Sequence, residues 1–256
     1  MVTKELRKFI LNASHIEIDN KKSNALLEYL ETNFPSYDIE KMFEGNEAIP
    51  YDIELAIKNY ITVNETFFFR HPEHFDLIRE ELNNKNTPIT VFFGGCSTGQ
   101  EVYSLAMLLN SLNVKYNFIA IDISHAALEG AKKGIYSESD ITRTPEAYKH
   151  LCEKYLDQEF NTREVRYEIK EYLKANIFFS PGDIFKTPTV NNDIIFCRNI
   201  LIYFTEEDRQ ILINKLYHGL YKSGLLIIGA AEIITGEIAK KFEKIQPGVY
   251  RKAYDR

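Results

Sequence analysis

Cysteine is scarce and badly placed for cross-linking. Cys96, Cys152 and Cys197 are the three in 256 residues, and no two form a Cys-x-x-Cys pair. An odd count at such spacing speaks against a disulfide framework and against a structural zinc site, so no metal is expected. Long hydrophobic runs are missing too. The longest, such as residues 225–231, have strand length, far short of the roughly 18 uncharged apolar residues that a membrane-crossing helix needs. The first ten residues, MVTKELRKFI, are charged and lack the apolar stretch of a secretory signal. These absences point to a reducing compartment, the cytoplasm, with no direct membrane insertion. A basic block or arginine-rich arm is also lacking, and the net charge is −6. Phosphate neutralisation supplies most nucleic-acid affinity, so no nucleic-acid partner is expected.

What is present is ordinary for a globular chain: 45% apolar and 27% charged residues, enough for one large domain with a smaller appendage. Up to about residue 60 the apolar residues recur at helical steps, as in Leu6, Ile10 and Leu11, then Leu26, Leu27 and Leu30, then Ile53, Ala56, Ile57 and Tyr60. After residues 84–88 the pattern becomes strand, helix, strand, helix. Apolar runs at 89–93, 117–121, 193–196 and 225–229 alternate with helical segments near 101–112, 126–133 and 206–221. Such alternation predicts an α/β fold with a mostly parallel, Rossmann-like sheet and a ligand site at the carboxyl ends of its first strands. Between Gly134 and Gly182 there is no glycine. A helix near 146–155 and β-favouring pieces at 164–169 and 172–179 suggest a small antiparallel insertion there. The expected division is an N-terminal helical domain over 1–62, a linker and helix over 63–87, and a main domain over 88–256 with the insertion at about 144–178.

The first strand runs into Gly94-Gly95-Cys96-Ser97-Thr98-Gly99. A P-loop would need Lys and Ser/Thr after the last glycine, where Gln100 and Glu101 stand. The dinucleotide pattern Gly-x-Gly-x-x-Gly is not met either, and Glu101 in the first helical turn would repel a pyrophosphate. A cationic ligand reverses that argument: S-adenosylmethionine carries an ammonium and a sulfonium. A plain strand-to-helix turn stays open as well. Asp122 closes the second strand 23 positions after Gly99. An acidic residue about 20 residues on is where a ribose diol is held; capping of the next helix is the plainer alternative, and turn and aspartate together favour an adenosine-bearing ligand.

Several ordered segments resemble the chemotaxis-receptor glutamate methyltransferases. Residues 64–70 (Asn-Glu-Thr-Phe-Phe-Phe-Arg) resemble their Asn-x-Thr-x-Phe-Phe-Arg segment, and residues 96–104 their first motif. Residues 120–131 resemble their second-strand motif, 196–204 that of the fourth strand, and 220–232 the fifth strand with its lead-in. The resemblance implies a class I methyltransferase domain that uses S-adenosylmethionine, yields S-adenosylhomocysteine, and esterifies glutamates in the acidic helical region of a chemoreceptor or related signalling protein. It implies roles as well. Asn64, Thr66 and Arg70 would hold the methionine end of the cofactor, with Gly94 in the turn beneath it. Glu101 would face its amino group, Asp122 the ribose, and Asp183 with Ile184 the adenine. Arg198, Asn199 and Tyr203 would line the methyl-transfer site, with Arg70, Arg198 and Tyr203 catalytic. Taken singly, Arg198 could instead pair with Asp122 or Glu232, and Tyr203 could be a core aromatic.

The chain departs from that family in two places. Family members usually present an arginine-rich N-terminal helix, whereas residues 20–31 hold two lysines and add carboxylates. The insertion also lacks the glycine-bearing turns of members that dock on a receptor tail peptide, which argues against such docking here. Two other readings keep the fold: a methyltransferase acting on a different protein or a small carboxylic acid, and a cofactor-sensing module without turnover.

Overall fold

The computed structural model describes residues 2–44, 48–62, 65–83, 85–160 and 165–253. Helices α1 (Val2–Ser14), α2 (Asn20–Asn33), α3 (Ile39–Glu44) and α4 (Tyr51–Ile61) come first. Their boundaries follow local chemistry. In α1 the buried residues Val2, Leu6, Ile10 and Ser14 repeat every four positions, one stripe of a helix. Helix α2 starts where the Asp19 carboxylate accepts from the Lys22 N–H at 2.7 Å. Helix α5 (Pro72–Leu82) opens on a proline, whose missing N–H costs nothing in the first turn.

The strand–helix alternation then unfolds in order: β1 (Ile89–Gly94), α6 (Gln100–Ser111), β2 (Tyr116–Asp122), α7 (His125–Lys133), β3 (Ile135–Ser137) and α8 (Glu138–Thr142). Next come α9 (Lys149–Tyr155), β4 (Leu156–Phe160), β5 (Val165–Ile169), α10 (Glu171–Lys174) and β6 (Ile177–Pro181). The chain closes with β7 (Asn192–Cys197), α11 (Glu206–Gly219), β8 (Leu220–Ile228), β9 (Phe242–Gln246) and β10 (Val249–Lys252).

Seven strands form one sheet in the order β6-β2-β1-β7-β8-β10-β9. The first five run parallel, and β10 pairs antiparallel with both β8 and β9. β1 sits centrally and, Thr90 apart, is buried along its length, as expected of a strand covered on both faces. On one face Phe93 stacks on Phe196 (centroids 4.8 Å apart) within a core that includes α5, α6 and the small sheet. On the other, Phe92 and Ile195 join a core shared by α11 and the apolar stripes of α1–α4. The chain is therefore α/β, with N-terminal helices, a mostly parallel sheet and a small antiparallel sheet.

The small sheet differs from expectation in its membership. Its order is β3-β5-β4, so one edge strand comes from before residue 144. The β-favouring stretch 172–179 does not join it. Glu171–Lys174 is helical, with Leu173 buried, and residues from Ile177 pair with β2 at the edge of the main sheet. β-Propensity reports a fit to a half-buried pleated surface and does not say which sheet supplies it. The connection between β4 and β5 lies outside the described residues. No described helix is long and apolar enough to cross a membrane.

Candidate functional site

The strand order reverses at β1, which has β2 on one side and β7 on the other. Loops leaving neighbouring carboxyl ends diverge there and leave a crevice. A cleft of about 920 Å³, open to solvent, occupies it. Its walls come from the turn after β1, the ends of β2 and β6, the loop after β7, and Thr62, Glu65, Thr66 and Arg70.

The turn after β1 forms the floor. Gly95 and Cys96 both donate N–H groups to the Ile121 carbonyl at 2.9 Å, which ties the turn to β2. Gly95 has φ +77°, and a Cβ on it would lie 2.9 Å from Ile200. A Cβ on Gly94 would collide with the Ile184 side chain. These glycines thus admit the two isoleucines, and Gly94 itself does not line the cleft, whereas Gly95 does.

Asp122 is buried at the end of β2, 5% exposed. Its Oδ2 accepts from the Ser97 N–H at 2.7 Å and its Oδ1 from the Ser124 N–H at 2.8 Å. Burial pushes its carboxyl above the usual carboxylate range, and those backbone N–H groups hold the rise back. Each oxygen keeps acceptor capacity for a further donor. Beyond β6, the Asp183 Oδ1 accepts from the Phe185 N–H at 2.9 Å. Its buried Oδ2 makes no hydrogen bond, and the nearby Lys186 (3.2 Å) is a largely exposed ion-pair partner of little energetic weight. Lys215 fixes this loop by donating from Nζ to the carbonyls of Ile184 and Thr187.

At the other end stand the arginines. Arg198 follows β7, is 6% exposed, and forms an ion pair with Glu101 from the first turn of α6. Its Nη2 donates to the Arg70 carbonyl at 2.8 Å, and its Nε is buried without a partner. So Arg198 pairs with neither Asp122 nor Glu232. Arg70 donates from Nη1 to the Glu65 carbonyl at 2.9 Å and lines the cleft. The residues on either side of it, Phe69 and His71, hold φ +54° and +60°, a conformation disfavoured for side chains of this size. Phe69 is fixed there by stacking on Tyr148 (4.3 Å) and by its N–H donating to Ser104 Oγ at 2.8 Å. Thr66, Asn199 and Tyr203 also line the cleft, and Asn199 holds φ +59°. Tyr203 is half-buried; burial, then the nearby Glu232 carboxylate, raises its hydroxyl above its usual range. Asn64 lies outside the described residues.

The cleft thus gathers Thr66, Arg70, Glu101, Asp122, Asp183, Ile184, Arg198, Asn199 and Tyr203. Sequence reasoning missed the contribution of the α1–α2 connection. Ser14 and Ile16 line the cleft, the Glu17 N–H donates to the Tyr203 carbonyl at 3.3 Å, and His15 stacks on Phe185 at 4.0 Å. His15 Nδ1 also meets the Asp208 carboxylate at 3.1 Å. The unusual apolar pair Ile16 and Ile18 beyond the end of α1 was the available signal.

Buried polar atoms without partners are costly and rare in native proteins. Among the described residues, three of the five buried side-chain atoms that make no hydrogen bond line this cleft: Ser97 Oγ, Asp183 Oδ2 (ion-paired with the exposed Lys186) and Arg198 Nε. With the acceptors of Asp122, they supply polar contacts at both ends of a slot for a ligand of mixed charge. That donor and acceptor set fits a nucleoside carrying an amino-acid group.

A family model, "CheR methyltransferase, SAM binding domain", matches residues 64–250. The chain belongs to this family. It is 38% identical over 218 residues to the chemotaxis protein methyltransferase of Borreliella burgdorferi, covering 78% of this chain and 74% of that protein. It is 30% identical over 218 residues to chemotaxis protein methyltransferase 1 of Vibrio cholerae, covering 78% and 76%. This chain is accordingly an S-adenosylmethionine-dependent methyltransferase, and the cleft has the polar partners that such a cofactor requires.

Proposed function

We propose that this chain methylates glutamate side-chain carboxylates of a chemoreceptor or related signalling protein, forming methyl esters. The observation that supports this best is the lining of the cleft. Among its described residues are Arg70, Arg198 and Tyr203, and no histidine or lysine. The one cysteine there, Cys96, has its thiol pushed up by burial and is no base. An ammonium acceptor would have to lose a proton first. A glutamate, with an ordinary pKa of about 4.3, is already the nucleophile at neutral pH.

S-adenosylmethionine supplies an electrophilic methyl group when bound. We assign Asp122 to its ribose, Asp183 and Ile184 to its adenine, and Thr66, Arg70, Glu101, Asn199 and Arg198 to its amino-acid end, with Asn64 joining them. Arg70 offers guanidinium N–H groups to the acceptor carboxylate, a charge-assisted contact that fixes direction as well as position. The Tyr203 hydroxyl makes no hydrogen bond among the described residues. Its raised pKa keeps it protonated at neutral pH, so it can donate to an acceptor oxygen. Orientation of this kind is the main contribution a protein can make when neither reactant needs activation.

We further assign the recognition of the acceptor's helical region to residues 1–62, with 63–87 as linker and 88–256 as the transferring domain. The outward positions of α2 include Lys21, Glu28 and Glu31. That mixture gives weak long-range steering of an acidic partner. Incubation with methyl-labelled cofactor and candidate receptors should give label released by mild base. Label that survives mild base would indicate N-methylation and overturn the reading.

A further inference from the structure

Glu232 lies outside every role assigned so far, yet its carboxylate is buried, 7% exposed, beside the methyl-transfer end of the cleft. It belongs to the turn that follows β8, closed by the Glu232 N–H donating to the Gly229 carbonyl at 2.8 Å. The side chain folds back over that turn. Its Oε2 accepts from the Gly229 N–H at 2.6 Å and from the Asn199 N–H at 3.1 Å. Its Oε1 accepts from the Ile202 N–H at 3.3 Å. One carboxylate therefore joins the loops that leave two adjacent parallel strands, β7 and β8.

The loop it grips is the segment 198–204, which carries Arg198, Asn199 and Tyr203. Asn199 holds a left-handed backbone there, and the bond from its N–H to Glu232 helps keep it so. Gly229 is shaped for the same purpose. A Cβ on it would lie 2.8 Å from Glu232 Oε2 and 3.0 Å from Asn199 Nδ2, so only glycine lets the carboxylate settle between the strands.

We infer that Glu232 is a positioning residue for methyl transfer, a carboxylate clamp that holds the loop of Arg198, Asn199 and Tyr203 against the turn after β8. Burying a carboxylate is costly unless it is hydrogen-bonded; burial raises the pKa of this one, and its backbone donors hold the rise back. The clamp acts through the loop and touches neither substrate. This inference rests on the methyl-transfer reading above for its effect on rate, though not for its effect on the loop.

Two variants test it by different routes. Glu232→Gln replaces one acceptor oxygen by an N–H₂ donor, so one of the three N–H groups faces another donor. Gly229→Ala leaves the carboxylate in place and pushes it aside. In each, kcat should fall by about tenfold to a hundredfold, the range that a misplacement near 1 Å produces, with a smaller change in acceptor KM. Hydrogen exchange of the 198–204 amides should speed up, while exchange in α6 and β1 stays as in the parent. The double variant should lose no more rate than the worse single one, because both remove the same contact. If Glu232→Gln fails to fold, Gly229→Ala carries the same measurements. A kcat within twofold of the parent, or unchanged exchange across 198–204, overturns the clamp. If the parent protein esterifies no carboxylate, the functional reading falls and the exchange data alone decide the clamp.

Discussion

Arg198 donates from Nη2 to the main-chain carbonyl of Arg70 at 2.8 Å, across 128 positions of sequence. The same guanidinium pairs with Glu101 at the start of α6. One buried cation thus joins the segment before α5, the first turn of α6 and the loop after β7. Glu101→Ala should therefore do two things. It leaves a charge with 2% side-chain exposure unpaired, which costs about 3 kcal/mol, and it removes the anion proposed to face the cofactor's amino group. Urea denaturation should show the first and calorimetric titration with S-adenosylmethionine the second. An unchanged midpoint would mean that Arg198 finds another partner.

Tyr203→Phe and Arg70→Ala separate orientation from binding. The Tyr203 hydroxyl makes no hydrogen bond among the described residues, so its removal should leave stability within about 0.5 kcal/mol. Single-turnover methyl transfer should fall by roughly tenfold to a hundredfold. Arg70→Ala should also raise the acceptor KM, since the proposed role of its guanidinium is to hold the acceptor carboxylate. Normal transfer by both variants would remove these residues from the chemistry.

Asp122→Asn should weaken cofactor binding more than Asp183→Asn does. A hydrogen bond to a charged group contributes about 1.5–3 kcal/mol, and Asp122 keeps acceptor capacity on both oxygens. A Kd raised by roughly tenfold or more for Asp122→Asn is expected by calorimetry. Equal affinities for the variant and the parent would indicate that Asp122 serves only the turn at Ser97 and Ser124.

His74 gives the fold a pH dependence. Its ring is fully buried, its Nε2 bonds to the Pro247 carbonyl at 2.9 Å, and burial, then the nearby Arg198 charge, lowers its pKa to about 4. The unfolded chain takes up its proton near pH 6.5. The native state binds fewer protons between those values, so stability is full above pH 6.5 and is lost as pH falls toward 4. The loss amounts to at most about 3 kcal/mol. His71, stacked on His74 at 5.5 Å and also lowered by burial, adds in the same direction. Melting temperatures from pH 7 to 4 should fall less steeply in His74→Gln, whose amide can still donate to Pro247. An identical slope would assign the acid sensitivity elsewhere.

Much of the main sheet was legible because buried parallel strands are continuous apolar runs, and the glycine turn after Phe93 marks where β1 ends. The site residues were legible as types at ordered positions, and nearly all of those within the described residues converge on one cleft. Pairing was not legible. Nothing local tells Arg198 to choose Glu101 over Asp122 or Glu232, because that choice depends on which loops the sheet order brings together. The membership of the small sheet was hidden for a related reason. Tyr172 and Leu173 suit a strand by propensity, but the α10 turn buries Leu173 and passes the chain to the β2 edge. β9 and β10 pair across the turn at Pro247 and Gly248, and β10 joins the sheet along β8, pairings that no periodicity signals.

The short connection at Ser14–Glu17 carries a consequence for anyone who would re-target this enzyme. Because it supplies one wall of the cleft proposed to hold the cofactor and is fastened to Tyr203, Phe185 and Asp208, the N-terminal helices are not an interchangeable cartridge. A chimera that borrows them from a relative to redirect its choice of acceptor imports a new pocket wall as well. Unless residues 14–17 are kept native at the splice, cofactor retention and target choice will change together.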